Sequence, residues 1–160
     1  MKHYFSKNGF GLIEIIIGAA VITVTFLAFS SFYRQALLIS EKTTVMAQSN
    51  MLLVEGVEVV KLMRDKGWNA NIKTLATSTP YYIIFNGGDW QISTTSTPID
   101  TVYTRWFVLE DVFRSGSDDI VTTGGIYSSS TKKVIVTVQS NKRATTTESV
   151  QTYIANIFNN

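Results

Sequence analysis

From Phe10 to Tyr33 the chain is almost unbroken hydrophobic sequence, and between Phe10 and Phe32 the only charge is Glu14. At a helical rise of about 1.5 Å per residue, such a run spans the ~30 Å hydrocarbon layer of a bilayer. Beyond it the pattern turns periodic. Val45, Leu52 and Val59 recur every seven residues with Met63 on the same side, and Met46, Leu53 and Val60 lie about 100° round the helix. Glu41, Gln48, Glu55, Glu58 and Asp65 fall largely off that apolar face, while Met51, Val54 and Leu62 are left over from it. Lys61, Arg64 and Lys66 suit the negative end of a helix dipole, and Gly67 is a stop. The pattern predicts one helix from Phe10 to Lys66, roughly 85 Å long.

After Trp68 the period changes. Thr- and Ser-rich stretches around Pro80 and Pro98 read as loops. Tyr81–Phe85 and Trp90–Ser93 flank the turn signal Asn86-Gly87-Gly88-Asp89. Val102–Val112 is the longest strand expected. Arg114–Asp119 reads as a polar loop, and Ile120–Thr123 with Ile126–Ser128 as a short hairpin. Val134, Val136 and Val138 alternate as in a half-buried strand. Ser149–Ile157 is read as a final strand, with a short helix as the alternative. The expected fold class is α+β: a long N-terminal transmembrane helix continuing into a head of antiparallel β-sheet packed on its C-terminal half. The expected divisions are 1–9 as a leader, 10–33 as the transmembrane part, 34–67 as the rest of the helix, and 68–160 as the head.

Composition narrows the chemistry. The 160 residues suit one small core plus an anchor. The 14 basic and 12 acidic residues form no basic stripe, so nothing points to nucleic acid. Loss of residues 1–9 would remove Lys2 and Lys7 and balance the remaining charges. With no cysteine, disulfides, thiolate metal sites and cysteine nucleophiles are excluded. The only histidine, His3, lies in the leader. The commonest bases, nucleophiles and transition-metal ligands are thus missing, and neither an enzyme nor a cofactor is expected.

The N-terminus is the most specific part. A secretory signal peptide has an apolar stretch of roughly 7–15 residues before a small-residue cleavage site. Here the run is longer, and Gly18-Ala19-Ala20 lies within it. An ordinary anchor fits the length but leaves Glu14 unexplained, because an acid at a helix centre costs about 2.5–3.5 kcal/mol on insertion scales. Lys2 and Lys7 favour a cytoplasmic N-terminus.

Gly9-Phe10-Gly11-Leu12-Ile13-Glu14 resembles the cleavage and methylation signature of type IV prepilins. In that family a short basic leader ends in Gly, Phe follows, and Glu stands fifth in the mature chain. Gly11 departs from the Ser or Thr common at its position. The resemblance covers about residues 2–33 and implies a subunit of a type IV pilus or related filament. It would be cut by a prepilin peptidase between Gly9 and Phe10, methylated at Phe10, and held in the inner membrane. From there an assembly platform would pass it to an extracytoplasmic filament of packed helices. Glu14 would meet the Phe10 amine of a neighbouring subunit and fix axial register. The absence of Pro before Pro80 tilts the resemblance toward a minor pilin, or a pseudopilin of a type II secretion or competence system. An uncleaved, membrane-anchored binding module is the next alternative, and an anchored enzyme, which would need a convergent polar pocket in the head, is the last.

Elsewhere the candidates are weak. Glu110 and Asp111 are adjacent on an expected strand and should point to opposite faces. Asp118 and Asp119, after Ser115-Gly116-Ser117, are the one candidate for a calcium site, which some pseudopilins have; the spacing of a full calcium loop is missing. Tyr81, Tyr82, Trp90, Trp106 and Phe107 are read as core or cross-strand pairs rather than a stacking platform.

Overall fold

The computed structural model describes residues 11–142 and 145–158. They divide into two compact units, with the boundary between Thr44 and Val45. Helix α1 (Leu12–Lys66) supplies the first unit and also enters the second.

In the first unit every described residue is exposed except Ser30 and Glu41, which are half-buried. By length and composition this is a helix able to cross a membrane. Its threonine hydroxyls bond back to the helix: those of Thr23 and Thr25 donate to the carbonyls of Ala19 and Val21, at 2.8 and 2.6 Å. Such back-bonding satisfies a hydroxyl where no water is present.

The second unit is α+β. Its helical residues Val45, Ser49, Leu53, Gly56, Val59, Val60 and Met63 are buried, which follows the periodic face read from the sequence. Met46 departs from that reading and is exposed, and Ser49 and Gly56 take places in the face instead. Gly56 sits so close to the sheet that an added Cβ would lie 2.7 Å from Val136 Cγ1. Met51, Val54 and Leu62 are exposed, as their position off the face requires. The helix stops at Gly67, whose φ of 152° suits glycine. A short helix α2 (Trp68–Asn71), absent from the sequence reading, follows and buries Trp68.

Seven antiparallel strands make the sheet: β1 (Tyr81–Asn86), β2 (Asp89–Ser93), β3 (Pro98–Ile99), β4 (Tyr103–Arg114), β5 (Ile120–Val121), β6 (Ile126–Ser140) and β7 (Thr146–Ala155). The main order is β2-β1-β4-β6-β7, with β3 and β5 each paired to β4. Gly87 and Gly88 have φ of 63° and 84°, the two positive values a tight two-residue hairpin turn demands. Tyr103, Arg105, Phe107 and Leu109 alternate inward on β4 and face Val134, Val136 and Val138 of β6. Together with Ile83, Trp68 and Ile72 they complete the core.

Two strand expectations need correction. Ile120–Val121 and Ile126–Tyr127 do not form a hairpin with each other; both pair with the end of β4. Ile126–Ser128 is instead the start of β6, which runs on through the valine strand with a register shift opposite Asp111 and Phe113. The shift hides the continuity, because it breaks the period of two on which strand reading depends. The last segment is a strand, β7, in unbroken register with β6 over ten residue pairs.

Candidate functional site

Gly9 and Phe10, the expected cleavage and methylation positions, lie outside the described residues. Glu14 is described, and its surroundings are local. Since α1 begins at Leu12, Gly11 is the N-cap and Glu14 the third helical residue. The Gly11 N–H donates to Glu14 Oε2 at 2.8 Å, and the Gly11 carbonyl accepts from the Glu14 and Ile15 N–H groups at 3.0 and 3.4 Å. This is the glutamate half of a capping box. Gly11 has no side chain with which to make the other half. The carboxylate also stands at the positive end of the helix dipole. Both effects lower the cost of an acid beside an apolar segment, and neither was visible in hydropathy alone.

In the second unit, Arg105 is only 2% exposed. Its Nη1 donates to the Leu52 carbonyl at 3.1 Å and to Glu55 Oε2 at 2.8 Å, and its guanidinium lies 5.5 Å from the Trp90 ring centroid. Tyr103 donates its hydroxyl to Gln48 Oε1. Polar groups at one edge of the helical face therefore bind the helix to the sheet. Sequence reading placed Gln48 and Glu55 off the apolar face without finding their partners, which come from a strand some fifty residues away in sequence.

Lys132 is buried among polar groups. Its Nζ lies 2.5 Å from Asp111 and 3.3 Å from the Tyr127 hydroxyl. Burial pulls its pKa down, but the hydrogen bonds to Asp111 and Tyr127 and their charge interactions prevail and raise it. The side chain is thus an ammonium at neutral pH, poorly suited to nucleophilic work. Glu110 pairs instead with Lys133 at 3.0 Å, so the adjacent carboxylates do diverge.

Asp118 has a φ of 68°, and its carboxylate faces Arg114 Nη1 at 3.3 Å. The Ser115 hydroxyl is taken up by the N–H groups of Ser117 and Asp119. Among the described residues no three His, Cys, Asp or Glu side chains gather as metal ligands. Asp118 and Asp119 fall well short of the six to eight oxygens calcium takes. The aromatics pair as expected: Tyr81 with Phe107 and Tyr82 with Trp106, at 5.6 and 6.2 Å between centroids.

The arrangement offers an apolar helical segment with one carboxylate at its head, and beyond Thr44 an α+β unit tied by internal ion pairs. No family model, curated protein or solved structure matches the chain.

Proposed function

We propose that the chain is a structural subunit of a type IV pilus or related filament, cut after Gly9, methylated at Phe10 and assembled through its apolar helix. The observation that carries this reading is the exposed segment Leu12–Thr44 with Glu14 as the one charge before Arg34. It stands directly after the Gly9-Phe10 signature. Cleavage would create a cationic amine at Phe10, within reach of the helix start and in low dielectric, where opposite charges attract far more strongly than in water. Glu14 of one subunit would then meet the Phe10 amine of the next. The pilin-like layout of long helix and antiparallel sheet supports the same reading. The subunit's place is the inner membrane, with a cytoplasmic N-terminus, before it joins an extracytoplasmic filament. Its partners are a prepilin peptidase, an assembly platform and other subunits.

The test is intact-mass and N-terminal analysis of the native protein from cells with a working prepilin peptidase. The expected result is a chain that begins at a methylated Phe10. Retention of the nine leading residues would overturn the proposal and favour the uncleaved, anchored module.

A further inference from the structure

The sheet ends in two edges of different character. Among the described residues, β2 pairs only with β1, and β7 only with β6. Natural edge strands are usually blunted by lysine, proline, bulges or brevity. β7 has none of these: it runs ten residues, TTESVQTYIA, without Lys, Arg or Pro, and its pairing with β6 contains no bulge. Its only charge is Glu148. Beside it, on the helix-covered face, lies an open groove of about 610 Å³ lined by Leu53, Val54, Val57, Val150 and Thr152, among others. Val54 and Val150 are exposed there.

We infer that β7 takes up β2 of a second copy of this chain as an added strand, so that one sheet continues from subunit to subunit. This rests on the filament reading and specifies how its heads meet. Three observations select this occupant. The two free edges belong to opposite ends of the same sheet, so their pairing is head-to-tail, and it repeats as the open array a filament requires wherever the rotation between copies does not close a ring. Following the antiparallel pairs across the sheet, β2 and β7 run in the same direction. Copies related by a near-translation therefore present β2 to β7 as a parallel strand with the helix-covered faces on one side. On that side β2 carries Trp90 and Ile92, partly buried against their own core, and β7 carries Glu148, Val150 and Thr152, of which Val150 beside the groove is the exposed apolar side chain an added strand would cover. The charges do not oppose it: Asp89 of β2 is tied to Lys66 at 2.6 Å and Glu58, which lines the groove, to Lys61 at 2.8 Å, leaving Glu148 to meet an otherwise neutral strand.

β2 has five residues, so this contact is weak by itself. It forms where apolar helices already hold the subunits at high effective concentration.

The chain has no cysteine, which makes disulfide mapping clean. Gln91 lies on the uncovered face of β2, the same face as Thr147, Ser149 and Gln151 of β7. Gln91→Cys is combined in turn with cysteine at each position from 147 to 152, and assemblies from native membranes are oxidised. Disulfide-linked ladders are expected for Thr147→Cys, Ser149→Cys or Gln151→Cys, with loss of the ladder at 148, 150 and 152. Equal yields at odd and even positions, or no ladder at any position in assemblies that still sediment, would sink the strand pairing while leaving the filament reading intact. Dimers from a single cysteine on β7 would also overturn it, because they report β7 against β7. Absence of sedimenting wild-type assemblies would overturn both readings.

Discussion

Gly56 is a poor helix residue by about 1 kcal/mol relative to alanine, yet it lies inside α1. The reason is the space above it. A methyl group there would meet Val136 Cγ1 at 2.7 Å and Arg105 Cδ at 3.1 Å. Overpacking of this kind costs typically 1–3 kcal/mol, which matches or exceeds the propensity gain. Gly56→Ala is therefore expected to destabilise the second unit by about 1 kcal/mol, read as an earlier midpoint in denaturant for the detergent-solubilised chain. A stabilised variant would show that the helix can back away from the sheet without loss. The same close approach seals Arg105, whose Nε has no partner among the described residues. Its other donors reach Leu52 and Glu55 because the backbone comes so near.

Among the elements, the end of α1 is held to the β1–β2 hairpin by Lys66 and Asp89. The hydrogen bond from Lys66, followed by that from the Trp90 N–H, lowers the Asp89 pKa below the usual aspartate range despite a small opposing effect of burial. A depressed folded pKa stabilises above the unfolded value of about 4, and the contribution is lost as pH falls through that value and below. Carboxyl titration followed by NMR should place Asp89 below ordinary aspartates in the parent chain and return it toward them in Lys66→Ala. An unchanged titration would mean the ion pair is absent in solution.

The elements also differ in how legible they were. α1 and its stop at Gly67 could be read because a sustained period and a glycine terminus are local signals. The β1–β2 hairpin was legible through Asn86-Gly87-Gly88-Asp89 for the same reason. β6 was not, because its register shift interrupts the alternation. β5 was misassigned because two residues carry no period, and its partner was decided by the far end of β4. The ion pairs Arg105–Glu55 and Lys132–Asp111 were also invisible: each joins residues remote in sequence, brought together only by the sheet.

For the whole molecule, stability must come from packing, backbone pairing and such ion pairs, since no disulfide can form. Of the candidate site, Glu14 was singled out by its charge in an apolar run, but its bond to the Gly11 N–H depends on where the helix starts, which hydropathy cannot locate. That bond separates two roles for the side chain. Glutamine keeps an oxygen for the cap and loses the charge, whereas valine loses both. If the charge serves assembly, Glu14→Gln and Glu14→Val should both insert into membranes and both fail to enter filaments, as scored by the sheared, sedimentable fraction. Normal assembly of the glutamine variant alone would reduce Glu14 to a helix cap.

The back-bonded hydroxyls of Thr23 and Thr25 bear on how such helices would lie together. With these groups bonded to their own backbone, the surface from Ile15 to Phe29 is largely hydrocarbon, broken by the small residues Gly18, Ala19 and Ala20. Two such rods would meet no polar stop along most of that length. A notch that stops them can sit at Gly18, Ala19 and Ala20, where backbones can approach closely, or at the ends, where Glu14 stands on one side and Ser30 and Ser31 on the other.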